Sequence, residues 1–262
     1  MITASIVVHD SPVSEVERIL SCIRRADVDK IWLVFNGKES KKSVYQGLSG
    51  VVFIQVPNNG YGAAHNTAMI QAMDAGSDYH LIVNSDVYWE GDVITTLVDR
   101  LREDAGIGLI APEVVYPNGE LQYSCRMLPW PFITLVRGFL PQSLFRKSRK
   151  RYLLMNMDQS RPINAPYLLG CFMLVRMDAI KETGLFDERF FMYPEDIDLS
   201  RRLHRHWITL YEPKVSVIHE HRRESHKKLK MRLIHIYNMI LYFNKWGWFN
   251  DNERKEFNSS LK

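Results

Sequence analysis

Cysteine is scarce: Cys22, Cys125 and Cys171 lie far apart in a chain of 262 residues. Their odd number and the lack of any C-x-x-C pair exclude a zinc ribbon and a disulfide framework, and predict a reduced, cytoplasmic setting. Long apolar runs are missing as well. No stretch of eighteen apolar residues occurs, so no membrane-spanning helix is expected. Met1 to Val8 has no charged segment leading into a long apolar one, so no secretory signal is expected. Neither charge sign dominates: 34 basic against 30 acidic residues leave +4, too mild to make nucleic acid a partner. Internal repeats and low-complexity segments are absent, which leaves an ordinary globular chain.

What is present is enough apolar residue, 46%, to bury a sizeable core in one large domain, or in one domain with an appended tail. Thr3–Val8, Lys30–Phe35, Val51–Val56 and His80–Val83 read as buried strands. Helices are expected from Pro12 to about Arg25, over Gly62–Ala75 with Gly76 as the stop, and from about Asp92 to Glu103. Ser11 before Pro12, with Ser14-x-x-Glu17, predicts a capped first helix. This alternation predicts an α/β fold with a mainly parallel central sheet flanked by helices.

Further on, Ile107–Val115 is apolar and Pro117-Asn118-Gly119 signals a hairpin turn. The basic run Arg146–Arg151 and the residues up to Pro166 read as a long loop. Tyr167–Arg176 reads as a strand, Asp178–Thr183 as a short helix ended by Gly184, and Pro194–His206 as a helix. Ile208–Tyr211 and Val215–His219 close the sheet.

Polar residues gather at one end of the strands: His9-Asp10-Ser11, Asn36-Gly37, Asn58-Asn59-Gly60 and Asn84-Ser85-Asp86. In an open α/β sheet the ligand crevice lies beyond the carboxyl ends of the strands. Asp86 there could hold a divalent cation through hard oxygen, although Asn84-Ser85-Asp86 would also serve as a helix cap. Tyr193-Pro194-Glu195-Asp196-Ile197-Asp198 crowds three carboxylates at a helix start, where the macrodipole alone would favour them. His219-Glu220-His221 ends a β-branched strand, with both histidines on one face. Asn59-Gly60-Tyr61-Gly62-Ala63-Ala64-His65-Asn66 would let an anion approach free N–H groups at a helix start.

The order and wording of these pieces resemble the inverting family 2 glycosyltransferases of GT-A fold, in particular the branch of bacterial rhamnosyltransferases in surface polysaccharide assembly. The likeness runs from Ser5 to about Ser225. It rests on Val34-x-Asn36-Gly37, Asn59-Gly60-Tyr61-Gly62 with Asn66, Asn84-Ser85-Asp86, and Gly184-x-Phe186-Asp187-Glu188-Arg189-Phe190-Phe191. That last block runs into Glu195-Asp196-x-Asp198-Leu199-x-x-Arg202, and Val217-Ile218-His219 follows. The resemblance implies a nucleotide-diphosphate sugar donor, dTDP-rhamnose foremost, and a saccharide or polyprenyl-linked saccharide acceptor. It implies Mn²⁺ or Mg²⁺ at Asp86 and His219, with Asp196 of the Glu195-Asp196 motif as catalytic base. His9, Asn36, Asn59, Gly60, Gly62, Asn66, Asn84 and Ser85 are implied on the nucleotide-sugar side, Tyr193 and Asp198 on the acceptor side.

Two positions depart from the family pattern: Phe35 stands where an Asp commonly meets the nucleotide base, and Asn84 replaces the first acid of D-x-D. A sugar-nucleotide nucleotidyltransferase is the alternative enzyme, but His9-Asp10-Ser11-Pro12 offers no Gly-rich loop after the first strand. An inactive glycan-binding or membrane-scaffold homologue is the other; the joint retention of Asp86, Asp196 and His219 argues against it.

The expected division is a glycosyltransferase domain over 1–224 and a C-terminal amphipathic helical extension over 225–262. In the extension Leu229, Leu233, Ile236, Ile240 and Phe243 recur at helical spacing behind Lys227, Lys228, Lys230 and Arg232. That stripe would either pack on the domain or lie in an anionic membrane surface, as Pro129–Leu140 with its basic follower also would; in the second case the cytoplasmic protein would be peripheral on the cytoplasmic face of the inner membrane.

Overall fold

The computed structural model describes residues 1–131, 146–220 and 229–261. The chain opens with strand β1 (Ile2–Val8), helix α1 (Val13–Ile23), β2 (Lys30–Phe35), the short α2 (Lys42–Gln46), β3 (Val52–Gln55), α3 (Tyr61–Asp74) and β4 (Tyr79–Asn84). All pairings among these four strands are parallel. The chain walks outward from β1 through β2 to β3, then returns to lay β4 on the other side of β1. That reversal makes a crevice between the ends of β1 and β4, and Ser11 Oγ meets Ser85 Oγ across it at 2.7 Å.

Ser11 is therefore spent on the crevice and not on a cap. Helix α1 begins after Pro12 with no side-chain cap bond, so the expected capping box is not formed. The cap-only reading of Asn84-Ser85-Asp86 also fails. These residues lead into the short β5 (Val87–Tyr88), and the next helix, α4 (Val93–Glu103), starts after Asp92.

Beyond α4 come β6 (Ile107–Val115), β7 (Cys125–Arg126), α5 (Arg146–Tyr152), β8 (Ile163–Asn164), β9 (Tyr167–Leu168) and β10 (Phe172–Arg176). The basic run expected in a loop is thus a helix. The strand expected over Tyr167–Arg176 is broken at 169–171, and the break carries part of the site. The remaining elements are α6 (Met177–Thr183), α7 (Pro194–His204), β11 (Ile208–His219), α8 (Leu229–Trp246) and α9 (Asn252–Ser260). The two closing strands are one: β11 runs unbroken past a register shift between Glu212 and Ser216.

The main sheet has the order β3-β2-β1-β4-β10-β6-β11-β5, with β8 beside β11, and β7 pairs β9 apart from it. Its N-terminal half is parallel; β10 inserts antiparallel between β4 and β6. Strand alternation gives each face its own core. Leu81 and Val83 join Ile6, Leu33 and Leu97 on one face, while Ile82 joins Val34, Ala68 and Met173 on the other.

The C-terminal helix packs on the catalytic half through Met239, Tyr242 and Phe243, buried with Tyr167, Phe190 and Ile197. The stripe expected from the sequence is out of phase with this. Phe243 is buried, yet Leu233 and Ile240 are exposed, with Tyr237 between them. Residues 132–140 and 221–228, including His221 and most of the second interfacial candidate, lie outside the described residues.

Candidate active site

Asp86 follows β4 and His219 ends β11. The pairing of His219 with Val87 in β5 brings them together, with His219 Nε2 3.4 Å from Asp86 Oδ1. The Glu220 N–H donates to the Asp86 carbonyl at 3.1 Å and fastens the corner. His219 is buried and held twice by Gln122: its Nδ1 lies 3.0 Å from Gln122 Oε1, and its carbonyl accepts from Gln122 Nε2 at 2.6 Å. Burial opposes the imidazolium, but Cys171 and Asp86 favour it more strongly and push the pKa up to about 10.

Asp196 sits in the first turn of α7 and is 7% exposed. Its Oδ2 accepts from the Gly170 N–H at 2.9 Å and the Tyr167 hydroxyl at 3.3 Å, and its Oδ1 from the Ile197 N–H at 2.8 Å. Burial raises its pKa to about 6 against those three bonds. Burial and the neighbouring Asp196 push Glu195 up further, so near neutral pH the pair carries its charge on Asp196.

The bend after β9 joins the two halves. Gly170 bonds Asp196, and the next residue, Cys171, places its sulfur within hydrogen-bond reach of His219. The carboxylates at 86 and 196 and the imidazole at 219 therefore converge on one rim. Tyr61 closes it by donating to the Gly170 carbonyl at 2.8 Å.

On the far side of the crevice, the ends of β1, β2 and β3 enclose an open cleft of about 640 Å³ lined by His9, Asn36, Gly37, Gln55 and Asn58 among others. His9 Nδ1 faces the Asn36 carbonyl at 3.0 Å. Such an array of amides and imidazole suits the polar edges of a nucleotide base and ribose.

The chain matches the model of Glycosyl transferase family 2 over residues 6–184, well over half its length. It belongs to that family. It is 33% identical over 179 residues to N-acetylglucosaminyl-diphospho-decaprenol L-rhamnosyltransferase of Mycobacterium tuberculosis, covering 62% of this chain and 56% of that protein. The chain thus spans little more than half the length of that relative. It is 24% identical over 225 residues to rhamnosyltransferase WbbL of Escherichia coli K12, covering 82% and 81% of the two chains. Among solved structures, mannosyltransferase PcManGT from Pyrobaculum calidifontis with GDP-Man and Mn²⁺ is similar over 99% of this chain and 73% of that one, with TM-score 0.59 and 13% identity. That likeness shows the GT-A fold.

In this family 2 chain the remaining expected residues fall into two groups. Asn84 and Ser85 stand at the crevice with Asp86, and Ser85 reaches Ser11. Asn59 is exposed beside the cleft at the ends of β1, β2 and β3. Gly60 and Gly62 lie against the loop that leads into α7. A Cβ at Gly60, φ +109, would fall 2.3 Å from the Phe191 carbonyl oxygen, and one at Gly62 2.8 Å from Phe186 Cβ. Asn66 ties its amide to both backbone groups of Phe186 and to Glu188. Asp198 is fully buried and bonds Arg202, Lys245 and Trp246, joining α7 to α8. Tyr193 takes φ 91 just before α7, its ring edge-on to His235 of α8 at 4.9 Å. A non-glycine residue there stores strain of about 1–3 kcal/mol, held in place by the packing around it.

Gln122 and Cys171 were not anticipated from sequence. A glycine and a cysteine interrupting an apolar strand were the visible sign of the second; a polar residue after a hairpin turn gave no sign of the first.

Asp86 and His219 fit a divalent cation that the substrate helps to complete. Among the described residues no group of three His, Cys, Asp or Glu forms a ligand cluster, so the protein offers a carboxylate and an imidazole. Two protein donors with open positions suit a cation that also takes diphosphate oxygens, and the nitrogen donor favours Mn²⁺ over Mg²⁺.

Proposed function

We propose that this chain transfers a sugar, L-rhamnose from dTDP-rhamnose, with inversion, to a saccharide linked through diphosphate to a membrane lipid. The observation that carries the reading is the Gly170-Cys171 bend, which sets the base Asp196 and the Asp86–His219 pair on one rim. The names of the two rhamnosyltransferase relatives support the sugar, and the mycobacterial one the acceptor.

Asp196 takes the proton of the attacking acceptor hydroxyl. With a pKa near 6 it is ionised at neutral pH and more basic than an ordinary aspartate. Gly170, Tyr167 and the Ile197 N–H fix its carboxylate so that it meets the hydroxyl in one orientation. Asp86 and His219 would hold a divalent cation, which when bound offsets the charge gathering on the departing nucleoside diphosphate. His219 must first give up the proton that Cys171 and Asp86 favour. His9 and Asn36 hold the nucleoside in the cleft at the ends of β1 and β2.

Membrane docking belongs to the same reading. Among the described residues no helix is long and apolar enough to cross a membrane. The outer face of α8 shows Leu233, Tyr237 and Ile240 beyond Lys230 and Arg232, and Phe249 follows it, 70% exposed. That combination suits seating at an anionic lipid surface. Cosedimentation with phosphatidylglycerol vesicles at low salt is the check; a protein that stays in the supernatant has no such seat.

The deciding assay supplies Mn²⁺, dTDP-rhamnose and N-acetylglucosaminyl-diphospho-decaprenol. Transfer is expected, with D196N slower by roughly 10²-fold or more and donor binding retained. Full activity in D196N would overturn the assignment of the base. A panel of nucleotide sugars that never raises the melting temperature with Mn²⁺ would overturn the donor class.

A further inference from the structure

Beside the base stands a guanidinium whose hydrogen bonds, among the described residues, go to uncharged groups. Arg126 pairs with Tyr167 across the two-stranded β7–β9 sheet, and Cys125 pairs with Leu168. Cys125 and Leu168 both enter the core. Strand alternation therefore sends Arg126 and Tyr167 to the opposite face, where the Tyr167 hydroxyl reaches Asp196 Oδ2. Arg126 Cζ lies 5.6 Å from the centre of the Tyr167 ring. Its Nε donates to the Tyr123 carbonyl at 2.9 Å, from a residue held at φ 23. Tyr152, the last residue of α5, bonds the same side chain.

Two flanks of Asp196 are thus distinct. One leads through Gly170 and Cys171 to His219 and Asp86, where the donor diphosphate belongs. The other leads through Tyr167 to Arg126, and then through Tyr152 to α5, whose Arg146, Lys147, Arg149, Lys150 and Arg151 are all exposed. Asp196 offsets this cation through space without a hydrogen bond between them, so the guanidinium fork is not spent on the carboxylate. The planar guanidinium fork matches a phosphate bidentately. One aromatic ring separates Asp196 from Arg126, much as one pyranose separates a reactive acceptor hydroxyl from the phosphate on its anomeric carbon.

We infer that Arg126 binds the phosphate through which the acceptor saccharide is attached to its lipid, and that α5 carries this anion track toward the membrane surface. The inference rests on the lipid-diphosphate acceptor of the proposed function. Arg126 then sets which acceptors are used: sugars bearing an anomeric phosphate or diphosphate are held with a hydroxyl over Asp196, and neutral glycosides are not.

The test compares N-acetylglucosaminyl-diphosphoryl decane with the neutral decyl glycoside of the same sugar. R126Q is expected to raise KM for the diphosphate acceptor roughly 10- to 100-fold, as for loss of charge-assisted hydrogen bonds, and to leave KM for the neutral glycoside within about twofold. R126K, which keeps the charge without the fork, should fall between. An equal rise for both acceptors would overturn the inference, since Arg126 would then only support Tyr167 and the base. A rise in KM for the nucleotide sugar would overturn it too, by moving Arg126 to the donor. Wild-type protein gives an independent reading: decyl diphosphate should compete with the acceptor and decanol should not, and failure to compete ends the proposal even if R126Q does not fold. If the wild type transfers to neither acceptor, the proposed function falls on its own. Calorimetry of metal-free wild type and R126Q with decyl diphosphate then judges the anion site alone: tighter binding by the wild type supports it, equal binding refutes it.

Discussion

The Gly170 N–H donates to Asp196 Oδ2 over 2.9 Å, and a Cβ at position 170 would lie 2.9 Å from Asp196 Cβ. No side chain fits there without moving the carboxylate. G170A is therefore expected to lower kcat by about 10²-fold, the scale of a displacement of about 1 Å at a reacting group. Donor affinity, set across the crevice, should stay within experimental error by calorimetry. A G170A enzyme with normal kcat would mean that the base is elsewhere.

Asp196 also makes stability depend on pH. Its folded pKa of about 6 lies above the 3.8 of an ordinary aspartate, so between those values the folded state holds a proton that the unfolded state has lost. The stabilisation is full below about pH 4 and lost as pH rises through about 6, on the order of 3 kcal/mol. D196N removes this titration, but its NH2 replaces one of the two accepting oxygens and leaves a buried N–H unsatisfied. Its melting temperature should therefore lie furthest below the wild type at pH 4 and close or reverse that gap by pH 7.5, while wild-type kcat falls below about pH 6 as the base is protonated. Equal melting curves at both pH values would show that Asp196 titrates as an ordinary carboxylate.

How much of this could be read from the residues alone divides along physical lines. Lys30–Phe35 is a strand at the very residues expected, because a β-branched apolar run between turn signals leaves few alternatives. Asp86, Asp196 and His219 stand out in the sequence as polar residues at strand and helix ends, and the fold brings them to one rim. What failed depended on contacts distant in sequence. Ser11 looks like a cap, but Ser85 lies 74 positions away and takes it. Asp198 looks like a third site carboxylate, but Lys245 and Trp246 arrive from α8 and bury it. In α8 both faces are apolar, and hydropathy alone gave no ground for choosing Met239, Tyr242 and Phe243 over Leu233 and Ile240. Arg126 carried no local pattern; its meaning comes from pairing opposite Tyr167.

Gln122 grips His219 from both ends, at the ring and at the backbone carbonyl. Partners of this kind orient metal-binding imidazoles, and losing them costs roughly 10- to 100-fold in affinity. Q122A should weaken Mn²⁺ binding by that factor, measured by titration in the presence of a nucleoside diphosphate. Because His219 holds its proton up to about pH 10, Mn²⁺ must displace it, and the wild-type Kd should fall roughly tenfold per pH unit between pH 6 and 8. A Kd independent of pH, and unmoved in Q122A, would remove His219 from the metal site.

Arg201 and Asp251 lock the C-terminal segment to the helix that carries Asp196. They are 1% and 2% exposed and bond through both guanidinium nitrogens at 2.7 and 2.6 Å, and Asp251 also caps α9 through the Arg254 N–H. Removing one partner strands a buried charge, so D251A should cost about 3–5 kcal/mol in urea unfolding. Glu253 still reaches Arg201 at 2.6 Å, which places the loss toward the lower end of that range. Replacing both partners by apolar residues, R201M/D251L, should recover part of the loss, because neither charge then remains to be solvated. A D251A protein with an unchanged midpoint would mean that α9 unfolds apart from the catalytic half, and that the base is steadied by Asp198, Lys245 and Trp246 alone.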